Sequence, residues 1–385
     1  MEFGFSSEEE AFRQEVRAFL KEVATPEVVA EADSGQGWGP HTWKFVQALG
    51  SRKLLTPTWP KEYGGLALPP IYRFIIHEEI DYTGALKPEA LIVGANIAGP
   101  TIIAYGSDKQ KKEYLPRIAR GEIEFAIGYT EPQAGSDLAS LQMRAEDKGD
   151  HYLFNGQKVF NTRCHFAQYH WIVARTDPNA PKHRGISLFI VDMRTPGITL
   201  RPLYGLDGIR TNEVFYDNVV VPKECLVGEK NKGFIYTVSA LEFERVLTVG
   251  TLTRNFQHLV HYVKSQPSLR NDSLVRQRIG QIATEIEIAR LHSYRLASMQ
   301  TKRIVANYEA AASKLFTSEL SQRMAGSGME ILGLSGQLQH GSKGAPMDGL
   351  IEHLSRETLL NTIAGGTSEV MRNIIATRGL DLPRG

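Results

Sequence analysis

The chain has 385 residues, too many for one small core and enough for two or three packed units. Its 44 Lys and Arg against 43 Asp and Glu leave a formal charge of +1, so composition points to no nucleic-acid or polyanion partner. No apolar run approaches the roughly 18–20 residues of a membrane span, the acidic start of the chain lacks a secretory signal, and two cysteines, Cys164 and Cys225, make neither a disulfide framework nor a metal cluster; a cytoplasmic location is the default expectation.

Residues 1 to about 125 read as helices. Ser6 before Glu8, Glu9 and Glu10 is a hydroxyl cap followed by carboxylates that oppose the helix dipole. Phe12, Val16, Phe19 and Leu20 then recur at helical spacing. The pattern breaks at Pro60–Gly65 and at Pro69-Pro70, resumes from Ile71 to Asp81, and returns from Lys109 to Arg120, ending near Gly121. Residues 126 to about 230 change character. The run from Tyr152 to Phe160 contains Asn155-Gly156, the signal of a two-residue hairpin turn. Trp171–Ala174, Ile186–Val191 and Val214–Val221 read as further strands, with Pro196-Gly197 and Pro222 between or after them. From 231 onward the long helical patterns return, over Phe234–Gly250, Leu274 to about Arg303, and about Val305 to Ala325. Helices, then sheet, then helices make an α+β chain with segregated elements.

Chemistry-bearing residues are sparse. Gly326-Ser327-Gly328 lacks the dinucleotide-binding spacing and follows no strand, and no phosphate loop is present. His151, His165 and His170 are too irregular for a metal site and read as satisfied or exposed imidazoles. The segment Tyr129-Thr130-Glu131-Pro132-Gln133-Ala134-Gly135-Ser136-Asp137 is rich in hydroxyls and small residues, which let backbone N–H groups approach a flat or anionic ligand; the bland alternative is an interdomain loop. Gly365-Gly366-Thr367-Ser368-Glu369 offers a capped helix start suited to an anion or a polarised oxygen, or an ordinary loop. Glu244 has Ala240, Leu241, Leu247 and Thr248 as its helical neighbours, so its carboxylate is either a desolvated base or a partner in a salt bridge.

Taken in order with Trp59–Gly65, Asn155–Lys158, Val219–Pro222 and Leu226–Glu229, these segments resemble the acyl-CoA dehydrogenase family over nearly the whole chain. The resemblance implies an N-terminal helical domain at 1–125, a middle β-barrel at 126–232 and a C-terminal four-helix bundle at 233–385. It implies FAD as cofactor, oxidation of an acyl-CoA to the trans-2-enoyl-CoA, and an electron-transfer flavoprotein as electron acceptor. An oxidase-like use of oxygen is the rival within the same chemistry.

Many family members carry the base directly before the Gly-Thr of the C-terminal motif, where this chain has Gly365, left with only its backbone N–H to hold the thioester oxygen. Others place it on the bundle helix before an arginine, which here is Glu244 before Arg245, an arrangement resembling members that act on branched or bulky acyl groups. The resemblance assigns Tyr129, Thr130, Gly135, Ser136, Phe160, Thr162, Thr367 and Glu369 to the flavin, and Ser136 and Arg245 to the substrate. The chain also departs from the family. The Arg-x-x-Phe-Gly segment that homotetramers extend to a neighbour's FAD is missing from Tyr262–Leu269, and Glu330 stands where glutamine is usual. The expectation is a heterotetramer with a second dehydrogenase-like chain, the alternative a homotetramer with altered FAD contacts.

Overall fold

The structure, a computed structural model, describes residues 4–86, 92–244, 248–306 and 308–383, with 239–244 described by their backbone alone. In chain order the helices are α1 (Ser7–Val23), α2 (Pro26–Asp33), α3 (Pro40–Ser51), α4 (Pro70–Thr83), α5 (Gly99–Tyr105) and α6 (Asp108–Ala119). The strands follow: β1 (Phe125–Gly128), β2 (Arg144–Asp147), β3 (His151–Lys158), β4 (Tyr169–Arg175), β5 (Ile186–Asp192), β6 (Ile198–Tyr204), β7 (Arg210–Pro222) and β8 (Leu226–Val227). Helices resume with α7 (Gly233–Glu244), α8 (Gly250–Ser265), α9 (Pro267–Arg270), α10 (Ser273–Thr301), α11 (Tyr308–Leu332), α12 (Leu350–Asn361) and α13 (Ser368–Ile374). This is the expected segregated α+β order.

Contacts divide the chain into two compact units. One comprises Met1–Ala24, Pro70–Pro88 and Arg245–Gly385, the other Thr25–Pro69 and Glu89–Glu244. In the first unit, Ser6 caps α1 through a reciprocal pair with Glu9, as its sequence predicts. Arg13 and Arg17 both bind the Glu79 carboxylate on α4, at 2.5 and 2.8 Å. Glu78 is 3.6 Å from Arg13 and 4.0 Å from Arg290 of α10, and burial, only partly opposed by those arginines, pushes its carboxyl up to about 7. The bundle core joins Leu252 and Leu259 of α8, Ile282 and Ile286 of α10, Leu320 and Met324 of α11, and Ile351 and Leu354 of α12. Among the described residues no helix is long and apolar enough to cross a membrane.

The helix expected over Phe234–Gly250 divides in two. Asp81 on α4 accepts from the Thr251 N–H (3.0 Å) and from the hydroxyls of Thr248 and Thr251 (2.7 and 2.6 Å), so α8 begins afresh on a tertiary cap.

In the second unit the strands run β6–β7–β3–β2–β4–β5–β8, with β1 added to β4. β4 and β5 are buried almost throughout, as central strands are, and their Ile172, Ala174, Phe189 and Val191 join Phe154 and Val219 in the core. The expected turn at Asn155-Gly156 does not form. β3 passes straight through, and the chain bulges between Phe154 and Gly156 against β7. Gly156 has φ +143°, and a Cβ there would meet Met143 Cγ at 2.8 Å, so the glycine serves a close approach. Asn155 instead pairs with Asn218 of β7, and the hairpin turn lies at Asp147–Asp150.

Candidate active site

Two chain segments of the sheet unit are stitched together at one end of β1 and β3. The Val159 N–H donates to the Thr130 carbonyl (3.0 Å). Lys158 Nζ donates to the Tyr129 carbonyl (3.1 Å) and to Glu131 Oε1 (2.8 Å). Glu131 also accepts the N–H groups of Gln142 (2.7 Å) and Met143 (3.0 Å). Lys158 and Glu131 are both buried, a placement tolerated only because each is paired. Burial pushes the Lys158 ammonium down to about 8 while Glu131 pulls it up, so it stays charged at neutral pH.

Beyond Lys158 the chain alternates like a strand. Phe160 is 63% exposed and Thr162 half-buried, whereas Asn161 and Arg163 are 1% and 4% exposed. Each inward residue is anchored. Asn161 exchanges backbone and side-chain bonds with Asn212 and receives His170 Nε2–H at 2.6 Å. Arg163 lies over the Trp38 ring at 5.4 Å and beside Glu124. Glu124 Oε1 accepts the N–H groups of Gly94 and Phe125, both at 2.9 Å, and burial lifts its carboxyl up to about 7. The outward residues are an exposed aromatic ring and, two positions on, the Thr162 hydroxyl, 3.4 Å from the Thr211 hydroxyl. Thr130 is half-buried, Tyr129 is buried with its hydroxyl accepting from Trp171 Nε1 (3.1 Å), and Gly135 and Ser136 are exposed. A Cβ on Gly135 would meet nothing within 4 Å. The Val159–Thr130 bond thus sets Tyr129 and Thr130 alongside the segment that carries Phe160 and Thr162, and this ledge exposes the Phe160 ring while Tyr129 is buried. His165 and His170 are hydrogen-bonded, as expected of satisfied imidazoles. Among the described residues no group of three His, Cys, Asp or Glu could hold a metal.

The bundle unit holds the C-terminal motif. Thr367 caps α13 by accepting the Val370 N–H (3.2 Å), and Lys314 Nζ holds the Gly366 carbonyl at 2.5 Å. Gly365 and Gly366 have φ +66° and +101°, torsions that favour glycine. Thr367 and Glu369 line an open groove of about 590 Å³ with Gln322, Arg323, Thr362 and Arg372. Glu330 forms an ion pair with Arg278 of α10. Glu244 is the last residue of α7; its side chain, and Arg245 altogether, lie outside the described residues.

Sequence reasoning passed over Glu124, Asn161 and Arg163, and it gave Glu131 and His170 no partners. Once buried, Lys158 requires a carboxylate partner, but it follows Asn155, Gly156 and Gln157 in the sequence, and nothing local marks it as buried or names Glu131, 27 positions away, as the partner.

Residues 6–122, 126–219 and 231–380 match the family models described as "Acyl-CoA dehydrogenase, N-terminal domain", "middle domain" and "C-terminal domain". The chain belongs to the acyl-CoA dehydrogenase family. This acyl-CoA dehydrogenase is 37% identical to "Acyl-CoA dehydrogenase FadE29" of Mycobacterium tuberculosis, over 98% of its own length and 97% of the relative's. It superposes on the "Tcur3481-Tcur3483 steroid ACAD" with a TM-score of 0.93 and 34% identity, covering 100% of each chain. It also superposes on the "ChsE4-ChsE5 complex from Mycobacterium tuberculosis" with a TM-score of 0.90 and 34% identity, again over 100% of each chain. As a member of the family it is an FAD-dependent oxidoreductase that dehydrogenates acyl-CoA thioesters. The ledge fits that cofactor: an exposed ring beside threonine hydroxyls suits a planar, hydrogen-bonding heteroaromatic.

Proposed function

We propose that this dehydrogenase acts on a branched or bulky, steroid-type acyl-CoA, and that it does so as the base-bearing subunit of a heterotetramer. The observation that carries the reading is the Arg278–Glu330 pair. A carboxylate stands where the family uses an amide toward a neighbour's FAD, and it occupies a nearby guanidinium. Negative charge there opposes a phosphate-bearing ligand. With no Arg-x-x-Phe-Gly in Tyr262–Leu269, the chain lacks the usual cationic contribution to a second cofactor site. The similarity to complexes whose names join two chains, one of them a steroid acyl-CoA dehydrogenase, supports the same reading. The domain limits near 125 and 232, a cytoplasmic location and an electron-transfer flavoprotein as acceptor belong to it.

In this mechanism Glu244 removes the α-proton of the thioester, with Arg245 beside it on the substrate. The Gly365 N–H donates to the thioester oxygen, where charge develops as the proton leaves. Tyr129, Thr130, Gly135, Ser136, Phe160, Thr162, Thr367 and Glu369 hold FAD, and Ser136 also meets the CoA arm. Bound FAD supplies the hydride acceptor for the β-carbon. Glu244→Gln keeps the side-chain shape and removes the base, so turnover should fall by about 10²–10⁴-fold. A variant that keeps most of its turnover would displace Glu244 from this role. The heteromer is tested by the FAD-to-chain ratio of the chain expressed alone. Near-stoichiometric FAD in a stable tetramer would rule it out, and a colourless protein restored by co-expression with a second dehydrogenase chain is the expected result.

A further inference from the structure

Phe160 has φ +58°, a left-handed torsion that a bulky non-glycine residue adopts only when its surroundings impose it. Its ring is also 63% exposed. Both features are unfavourable for the free chain, so something must hold the residue there. The neighbouring side chain does. Asn161 Nδ2 donates back to the Val159 carbonyl at 2.7 Å, closing a short ring around Phe160. The base of that ring is fixed on every side. Val159 N–H is held by the Thr130 carbonyl at 3.0 Å, and the Asn161 N–H donates to the Asn212 carbonyl at 3.0 Å. Asn212 Nδ2 returns a bond to the Asn161 carbonyl at 2.8 Å. The remaining amide oxygen, Asn161 Oδ1, accepts from His170 Nε2–H at 2.6 Å, and the other ring nitrogen of His170 accepts from the Tyr216 hydroxyl at 2.6 Å. Asn161, His170 and Asn212 are all essentially without solvent exposure. Buried donors and acceptors without a partner are costly, so this set admits few alternative arrangements. Burial, with the Lys158 ammonium adding to it, holds His170 down to about 3, so the imidazole stays neutral and its tautomer fixed at ordinary pH.

We propose that Asn161, braced by His170 and Asn212, is a positioning residue that imposes the left-handed backbone at Phe160 and thereby presents its ring to the flavin. Asn161 touches neither cofactor nor substrate in this role; it acts only through Phe160. The inference rests on the reading of Phe160 as a flavin neighbour, and the test separates the two. The holoenzyme, with its partner chain if one is required, is prepared as wild type, Phe160→Gly, Asn161→Leu and the double variant. The rate of FAD release is followed by recovery of free-flavin fluorescence, and the visible absorption band of bound flavin is recorded.

Phe160→Gly should release FAD at least about tenfold faster and alter the band. Asn161→Leu should do the same, because the strained torsion is no longer enforced. In the double variant Asn161→Leu should add nothing, since glycine adopts the torsion freely and has no ring to present; residues acting through one another are non-additive in this way. Effects that multiply in the double variant, or an Asn161→Leu enzyme with wild-type release and spectrum, would overturn the proposal while leaving Phe160 at the flavin. A Phe160→Gly enzyme unchanged in both measurements would overturn the flavin reading itself and the proposal with it. If Asn161→Leu fails to fold, Asn161→Asp keeps the acceptor for His170 and, as the carboxylate, replaces the donor to Val159 with a charged oxygen that repels that carbonyl. Faster release in that variant supports the role, and unchanged release refutes it.

Discussion

Replacing Lys158 by Met is the most direct probe of the energetics beneath the ledge. The substitution keeps the volume of the stem and removes an ammonium that is wholly buried. Glu131 loses its 2.8 Å cationic partner, and the Tyr129 carbonyl loses a donor at 3.1 Å. Removing one member of a buried ion pair costs about 3–5 kcal/mol, most of it the expense of an uncompensated buried charge. Glu131 keeps the N–H groups of Gln142 and Met143 and the amide of Gln133, which places the expected loss near the lower end, about 3 kcal/mol. Removing the charge from the partner as well, in Lys158→Met/Glu131→Gln, should recover about half of that. The readout is tryptophan fluorescence during urea unfolding. All four tryptophans, at 38, 43, 59 and 171, lie in the sheet unit, so the signal follows the unit that contains the pair. A single variant that loses under about 1 kcal/mol, with no recovery in the double variant, would refute the account of Lys158 and Glu131 as mutually dependent charges.

Stability of the bundle unit should fall as pH rises. Glu78 has its carboxyl raised to about 7, so the folded state binds a proton that the unfolded state has already released. The contribution is complete below the ordinary carboxylate range and is lost as pH passes through 7, a change of up to about 3 kcal/mol. Glu78→Gln should flatten the dependence of the far-ultraviolet melting midpoint on pH between 5 and 8; an unchanged slope would assign it to other groups. In the sheet unit, Glu31 of α2 accepts the N–H groups of Gly39 (2.9 Å), His41 (3.2 Å) and Thr42 (2.7 Å), capping α3 from a neighbouring helix. Glu31→Ala should cost about 1–2 kcal/mol in the same fluorescence assay, and a neutral result would mean that water replaces the carboxylate without loss.

What the sequence revealed and what it hid follow from the reach of the interactions. The caps at Ser6 and Thr367 were legible because donor and acceptor lie three residues apart. The strands around Trp171, Ile186 and Val214 were legible from β-branched and aromatic runs. Asn155-Gly156 misled because the same dipeptide serves a tight turn or a bulge, and the choice rests on Met143 across the sheet. The break between α7 and α8 depends on Asp81, which is 170 positions from Thr251. The support beneath Phe160 was hidden for the same reason: Asn161, Arg163 and His170 read as ordinary polar residues until folding brings Asn212, Glu124 and Tyr216 to them. The ligand-facing residues could be found from a family pattern, but their buried partners required the fold.

Gly365 has a bearing on how this active site could change. A Cβ there would meet no atom within 4 Å, so room for a side chain exists. What resists one is the torsion, at roughly 1–2 kcal/mol for a non-glycine residue in that region, a modest share of the stability of a folded domain. On the proposed assignment, a base at position 365 meets one local obstacle, the backbone angle. Moving the carboxylate from position 244 to position 365, or back, takes two substitutions, one at each position, and at 365 the new Cβ displaces no atom of the bundle unit. At position 365, then, the cost of a second carboxylate is small against the stability of the fold, and its absence there reflects sequence rather than space.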